Sequence, residues 1–360
     1  MPFGYLITTG LVALGVLFAI APPRPRRSSP FRASFVLAFM VNELPFFAVY
    51  WLAASTVLAI VQSDISSPVG WTGLGLAILA TAGLVVIARR ALPTGAVVDR
   101  ALDDAGLSPR SRRRLRWHRI LVWPFGFPNP GVERIRNIAY GDAGRANLLD
   151  VYRGRSHSGL GPTLVHLHSG GFFMGAKSRE ARPLFDRLAR SGWVCISANY
   201  RLRTGYPDQL EDVKKVFAWV RAHGSEYGAD PDVVFVAGSS AGAHLASVAA
   251  FTETGTPVTG VVCMYGYYGP VGRERSSPLT YEGEGAPPFF VAHPERDTLV
   301  IPADARRFVE SLRKGSANPV VYTELPGAQH GFDFFYSIRF EAVIDGIEAF
   351  ADSVRARRRS

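Results

Sequence analysis

Three apolar stretches near the start of the chain constrain its fold more than any other feature of the sequence. They cover residues 3–21, 35–61 and 71–88, and residues 1–88 carry only six of the 70 charged side chains. Each stretch is close to or above the roughly 20 residues that an α-helix needs to cross about 30 Å of hydrocarbon. We therefore predict a membrane anchor of three transmembrane helices over residues 1–88, followed by a water-soluble part.

The first apolar stretch has the length of a signal peptide, but it lacks the flanking residues that a signal peptide has. No positive residue precedes it, and residues 22–27 read PPRPRR where a cleavage site would have small residues. We predict that this stretch stays in the protein as the first span.

Charges in the loops predict the orientation of the spans, because Lys and Arg near a span tend to stay in the cytoplasm. The loop at 22–32 holds four Arg, the loop at 62–70 holds Asp64 and no basic residue, and Arg89 and Arg90 follow the third stretch. The pattern predicts a multi-pass inner-membrane protein with its N-terminus outside and residues 89–360 in the cytoplasm.

The net charge of +10 lies mostly beside the predicted spans. It is concentrated in residues 22–32, 89–120 and 355–360, so residues 121–354 sum to about −2. Basic residues beside a span attract anionic phospholipid at about 1 kcal/mol each, and the run at 110–116 contains five Arg. We predict residues 89–131 to be a basic juxtamembrane connector that contacts anionic phospholipid, and we predict no nucleic-acid partner.

Polar residues interrupt the second apolar stretch at Asn42, Glu43 and Pro45. A carboxylate at membrane depth is costly, so Glu43 is either part of a polar site or lies near a helix kink, protonated or paired with a neighbour. We favour the second interpretation, because one acid without a second ionisable group makes a poor pathway.

After residue 131, short β-branched runs alternate with helical patterns. This alternation predicts a mainly parallel sheet with helices on both faces, in one domain over residues 132–360. Cys195 and Cys263 lie in apolar runs and are predicted to be reduced core residues. The predicted strands cover 146–152, 163–168, 193–199, 232–237, 260–265, 288–293 and 319–324, and the predicted helices 178–190, 208–223, 241–251, 302–314 and 339–354.

A GSSAG sequence at residues 238–242 lies directly between a predicted strand and a predicted helix. The G-x-S-x-G pattern alone is weak, but a sharp strand-to-helix turn needs small residues two before and two after the nucleophile, since a Cβ there would collide with backbone. We therefore predict Ser240 to be a catalytic nucleophile at the positive end of a helix.

Acyl transfer also needs hydrogen-bond donors for the oxyanion. The sequence HSGGFF at residues 168–173 follows a predicted strand, so Gly170 and Gly171 can offer backbone N–H groups with no side chain in the way. Ala241 offers a further N–H directly after the nucleophile. We predict these three residues to form an oxyanion hole.

The remaining catalytic groups are expected in loops after later strands, where open α/β sheets hold their sites. Asp297 and His330 follow the predicted strands 288–293 and 319–324. We predict Asp297 as the acid and His330 as the base. Glu295 is the rival acid, and His244, one turn after Ser240, is the rival base.

In these residues the chain resembles the α/β-hydrolase superfamily, and within it the hormone-sensitive-lipase-like carboxylesterases of bacteria. The resemblance covers residues 132–355 and implies a largely eight-stranded sheet with Ser240 as nucleophile, His330 as base and Asp297 as its orienting acid. It implies neither a metal nor a cofactor. The residues that carry it are the HSGGFF segment, NYRL at 199–202, Tyr206, Pro207, Asp212, Asp230, Pro231, the GSSAG turn, Asp297 and His330.

Some positions depart from the family pattern. Ser169 stands where the family usually has the first Gly of H-G-G-G, Arg203 to Gly205 replace a usual A-P-E, and Pro294 replaces a common Gly. Residues 243–246, AHLA, are similar to arylformamidases. The sequence therefore predicts a membrane-anchored serine carboxylesterase or lipase acting on small-molecule or lipid esters, with an arylformamidase or small amidase, or a non-catalytic binding protein of this fold, as alternatives.

Overall fold

The computed structural model describes residues 2–23, 30–109, 114–126, 129–252, 258–272, 276–281 and 283–358, with the side chains of residues 2 and 30–33 left out. The four arginines in the predicted loop at 22–32 and the three at 110–113 therefore lie outside the described residues or side chains.

One sheet of eight strands organises the part of the chain after residue 131. Its order is β1-β2-β4-β3-β5-β6-β7-β8, in which β2 pairs antiparallel with both β1 and β4 and all other pairs are parallel. The strands are β1 (Val132–Ala139), β2 (Leu148–Gly154), β3 (Gly161–Leu167), β4 (Val194–Ala198), β5 (Ala229–Ser239), β6 (Val258–Met264), β7 (Phe289–Pro294) and β8 (Val320–Leu325).

Helices cover both faces of this sheet, which is why its central strands are apolar on both sides. Helices α7 and α11 pack on one face, and α8, α9 and α10 pack on the other. Their bounds are α7 (Arg182–Arg190), α8 (Tyr206–His223), α9 (Ala241–Thr252), α10 (Pro302–Gly315) and α11 (Ile338–Arg357). The predicted mainly parallel sheet with helices on both faces is confirmed.

Seven of the eight strands correspond to the predicted ones, and the eighth, β1, was not predicted. Its sequence VERIRNIA is rich in charged residues because it is an edge strand, paired on one side only and partly exposed. The pairing with β2 shifts register between Ile135 and Ile138, where Asn137 takes a positive φ of 59°. Such a bulged edge lacks the alternation that identifies a strand in sequence.

Among the described residues, six α-helices precede the sheet. They are α1 (Pro2–Ile20), α2 (Pro30–Glu43), α3 (Pro45–Val61), α4 (Pro68–Ala91), α5 (Thr94–Asp104) and α6 (Trp117–Val122). Helix α5 belongs to the predicted connector, yet its Val98, Ala101 and Leu102 lie in the same core cluster as α7 and α11. Part of the connector is therefore built into the α/β domain.

Two of the described helices are long and apolar enough to cross a membrane, or three if a bent pair counts as one span. The bent pair is α2 and α3, which meet at 95°. The predicted continuous helix over 35–61 is thus broken at Leu44, because Pro45 has no N–H to continue the ladder and instead occupies the first turn of a new helix.

Glu43 lies at this break and contacts the α/β domain. Its Oε1 accepts a hydrogen bond from Asn42 Nδ2 at 2.9 Å and lies 3.6 Å from Arg339 Nη1, which also donates to the Asn42 carbonyl at 3.1 Å. This arrangement agrees with the kink interpretation of Glu43. Its partner Arg339 is on α11, nearly 300 residues away in sequence, and was not predicted.

Candidate active site

Ser240 occupies a sharp turn between β5 and α9. Its φ of +53° is a strained value for a residue with a side chain. A Cβ on Gly238 would lie 2.2 Å from the Gly242 backbone, and one on Gly242 would lie 2.0 Å from the Leu167 carbonyl oxygen. Only glycine therefore fits two positions before and two positions after Ser240, as the sequence pattern requires.

A chain of hydrogen bonds joins Ser240, His330 and Asp297. Ser240 Oγ lies 3.0 Å from His330 Nε2, and His330 Nδ1 lies 2.7 Å from Asp297 Oδ2. All three residues are buried. The structure thus brings together the three residues that the order of strands predicts, although they are up to 90 positions apart in sequence.

The carboxylate of Asp297 is held in one orientation. Its Oδ1 accepts hydrogen bonds from the backbone N–H groups of Leu299 and Val300, both at 2.8 Å, which leaves Oδ2 directed at His330. The rival acid Glu295 instead accepts from the Gly327 amide at 2.8 Å. Asp297 and not Glu295 is therefore the acid that contacts the imidazole.

The rival base His244 has a different hydrogen-bond partner from the nucleophile's hydroxyl. Its Nδ1 lies 3.2 Å from the Tyr267 carbonyl oxygen, and its ring stacks on that of Tyr267. Burial lowers the pKa of His244 to about 4, so its imidazole is neutral near pH 7. His244 is therefore a packing residue next to the site and not the proton acceptor for Ser240.

Of the predicted oxyanion residues, Gly170 and Gly171 lie in the turn after β3, and Ala241 directly follows Ser240. Gly170 has a φ of +126°, and a Cβ there would lie 1.8 Å from the Met174 carbonyl oxygen. Among the described residues, no acceptor pairs with the amides of Gly170, Gly171 or Ala241. These N–H groups therefore have no intramolecular partner that a substrate oxygen would have to displace.

The chain is similar to esterases along most of its length. A family model described as BD-FAE matches residues 149–266, which include Ser240. The probable carboxylic ester hydrolase LipM of Mycobacterium tuberculosis is 36% identical, with 79% of this chain and 77% of LipM covered. The chain belongs to the α/β-hydrolase esterases. It is therefore an ester hydrolase, as the sequence predicts.

A second relative and a solved structure are also esterases. Esterase LipQ of M. tuberculosis is 34% identical over 62% of this chain and 63% of its own length. The solved structure of esterase B from Lactobacillus rhamnosis superimposes with a TM-score of 0.55, covering 64% of this chain and 89% of that one, at 20% identity. At that identity the structural likeness shows the fold alone.

A buried polar cluster lies behind the esterase site and was not predicted. The carboxylate of Glu180 accepts hydrogen bonds from the Ser169 backbone N–H and, at 2.6 Å, from the Ser169 hydroxyl. Asp333 accepts from the Tyr265 hydroxyl and, at 2.7 Å, from Ser239 Oγ. Ser169, which stands where the family usually has glycine, therefore has Glu180 as its hydrogen-bond partner. The only sign of this cluster in the sequence is that Asp333 lies three residues after His330.

The two acids of this cluster share one buried environment. Burial raises the pKa of both Glu180 and Asp333, and the repulsion between them raises that of Glu180 further, to about 8. Their hydrogen-bond donors are neutral hydroxyl and amide groups. We infer that the pair keeps at least one proton near pH 7.

His166 joins the two acids in a group whose ligand atoms lie within 4.8 Å of one another, a spacing that a metal ion would accept. All four carboxylate oxygens of Glu180 and Asp333, however, already accept hydrogen bonds from Ser169, Ser239 and Tyr265. These donors occupy the carboxylate oxygens that a divalent ion would need, so we assign no metal to the group.

The raised pKa of Glu180 predicts a pH dependence of stability. The unfolded chain ionises this carboxyl near its usual value of 4.5, whereas the folded chain holds the proton up to about pH 8. Protons bound only by the folded state stabilise it at low pH, so the free energy of unfolding should fall as pH rises through this window. Glu180→Gln should flatten that fall in melting curves of the detergent-solubilised protein, and the exposed Glu310→Gln should not. An unchanged slope in Glu180→Gln would contradict the assignment.

Proposed function

We propose that the protein is a membrane-anchored serine carboxylesterase or lipase that hydrolyses carboxylic esters through an acyl-enzyme on Ser240. The observation that carries the proposal is the continuous hydrogen-bond chain from Ser240 Oγ through His330 to Asp297. Its order and distances match what a nucleophile, a general base and an orienting acid require.

Each step of the reaction follows from this chain. Ser240 Oγ attacks the ester carbonyl while His330 Nε2 takes the hydroxyl proton, and the same proton then passes to the leaving alcohol as the C–O bond breaks. Water then attacks the acyl-enzyme. His330 Nε2 takes a proton from this water and passes it to Ser240 Oγ as the bond between Oγ and the acyl carbon breaks, which releases the acid and restores the enzyme. Asp297 keeps the proton of His330 on Nδ1 throughout.

Negative charge on the carbonyl oxygen needs donors during both halves of the reaction. We assign this role to the amides of Gly170, Gly171 and Ala241, because the two glycines lie in the turn after β3 and Ala241 directly follows Ser240. Loss of one such donor typically costs about 10²-fold or more in turnover.

Cleavage of a small amide is the second candidate, since residues 243–246 are similar to arylformamidases. Purified full-length protein in detergent should be assayed against nitrophenyl esters of graded chain length and against N-formylkynurenine. We expect ester turnover to exceed formamide turnover for at least one chain length. Turnover of N-formylkynurenine alone would favour the amidase, and turnover of neither would favour a binding protein.

We also propose that α1, α3 and α4 cross the membrane and that α2 does not. The 17 residues of α3 extend about 25 Å at about 1.5 Å each, near the thickness of the hydrocarbon layer. The ends of α1 and α4 and the start of α3 all contact the α/β domain or the connector. Arg296 donates to the Ile20 carbonyl, Arg90 lies against Gly327, and Phe46 packs against Trp117 of the connector.

We keep anionic phospholipid as the proposed partner of the basic connector, but Arg116 is no longer among the residues that contact it. Arg116 donates through Nε and Nη2 to Glu341 at 3.2 and 2.9 Å, so it anchors the connector to α11. Arg114 is exposed. The lipid contact is therefore assigned to Arg114 and the arginines before it, and not to Arg116.

The orientation predicts where reporters work. A reporter active only in the cytoplasm should function when fused after Ser360, and one active only outside should function when inserted near Ser66, in the loop between α3 and α4. Activity of both reporters would be measured in intact cells. The reverse pattern would contradict the cytoplasmic location of the catalytic domain.

A further inference from the structure

Helix α2 lies along the catalytic domain and contacts the loop that carries His330. The Phe35 ring lies edge-on to His330 with centroids 6.2 Å apart, and one turn later Phe39 contacts Phe334 and Phe335 at 5.4 and 5.8 Å. The far end of α2 is tied down through Arg339, which donates to the Asn42 carbonyl. One face of the helix is thus bound to the active-site side of the α/β domain over its described length.

A second face of α2 packs against the membrane anchor. Ala38 and Val41 belong to the core cluster shared with α1 and α4, and the Leu37 carbonyl lies against Gly15 of α1. Helix α2 therefore fills the corner between the anchor and the catalytic domain, with its axis at 95° to α3.

The remaining face of α2 is apolar and exposed. Val36 and Met40, one turn apart, are 64% and 47% exposed. This face has no partner among the described residues, although polar residues would be expected on a helix that faced water. Helix α3 enters the proposed membrane directly after Leu44. The apolar face of α2 therefore lies next to the membrane surface, where lipid can cover it.

Exposed apolar side chains also border the catalytic groups. Phe173 and Met174 follow the glycines of the oxyanion turn, and Leu299 and Ile301 follow Asp297. Large apolar side chains grouped on a surface indicate an interaction with lipid or another apolar partner. Exposed apolar residues therefore follow two parts of the catalytic site in sequence, and α2 contacts a third part, the His330 loop.

We propose that this site takes its substrate from the bilayer: an acyl ester dissolved in the membrane, whose chain runs along Val36 and Met40 of α2 while its carbonyl reaches Ser240. The inference rests on the proposed function and names its substrate class. An acyl chain on this path never has to leave apolar surroundings, whereas entry from the cytoplasm would require its transfer through water.

Photocrosslinking tests this path directly. The probe is a long-chain alkyl fluorophosphonate with a diazirine at the end of its chain, mixed into phosphatidylcholine–phosphatidylglycerol nanodiscs that hold the full-length protein. After reaction with Ser240, illumination should crosslink the chain to residues 34–43. Crosslinks confined to the loops at 266–281 would overturn the proposed path while leaving the esterase intact. Absence of any reaction at Ser240 would contradict the proposed function and the path together.

A steric test complements the crosslinking. Val36→Trp and Met40→Trp should each lower the turnover of a long-chain nitrophenyl ester in nanodiscs, relative to that of a water-soluble short-chain ester, by about tenfold or more. Val57→Trp is the matched control, because Val57 is similarly exposed, at 60%, but lies on α3 and not on α2. Equal ratios in all three variants would overturn the proposal.

Discussion

Ser240→Ala should lower turnover of a nitrophenyl ester by about 10⁴-fold or more, with little change in the melting temperature. The substitution removes the atom that forms the acyl-enzyme in the proposed mechanism, and the hydroxyl it deletes is paired with His330 in the site and not with the core. The backbone of the turn is held by other groups, such as the hydrogen bond from the Ser240 amide to the Met264 carbonyl at 2.9 Å, and stays in place.

The measurement is kcat for the purified full-length protein, alongside circular dichroism to check the fold. Ser225 is a suitable control, because it lies in an exposed turn outside the site, and Ser225→Ala should keep its activity. A loss of less than about tenfold in Ser240→Ala would mean that another residue attacks the ester.

Asp297→Asn should lower turnover by up to about 10⁴-fold while leaving the site's shape nearly unchanged. The amides of Leu299 and Val300 both donate to Oδ1, so the asparagine must present its carbonyl oxygen to them. Its NH₂ group then faces His330 Nδ1, which becomes an acceptor. The ring proton moves to Nε2, where it faces Ser240 and blocks proton transfer.

Glu295→Gln is the matched control for this substitution. Glu295 is two residues away in the same loop, but its carboxylate accepts from the Gly327 amide and does not contact His330. A glutamine oxygen can replace that acceptor, so kcat should fall far less than in Asp297→Asn. A larger loss in Glu295→Gln would make Glu295 the residue that orients His330.

Local sequence patterns predicted the parts of the fold that depend on local chemistry. Strands β2 to β8 were found because buried strands are short apolar runs, and the turn at Ser240 was found because only glycine fits two residues before and after it. Strand β1 was missed because an exposed edge strand carries charged residues that obscure the pattern.

Contacts between distant segments could not be predicted in the same way. The pairing of Glu43 with Arg339, and that of Ser169 with Glu180, join residues whose own neighbours in sequence give no sign of a partner. The 95° bend after Glu43 was expected only as a kink, because Pro45 indicates where a helix is interrupted but not the angle that packing then imposes.

Covalent labelling of the intact protein with a fluorophosphonate tests the nucleophile most directly, because the reagent reacts only with a serine activated by its own base. Peptide mapping by mass spectrometry should find one phosphonylated residue, Ser240, and no adduct on the adjacent Ser239. The label should disappear in Ser240→Ala and be strongly reduced in Asp297→Asn. Labelling that survives in Ser240→Ala would contradict the assignment of Ser240 as the nucleophile.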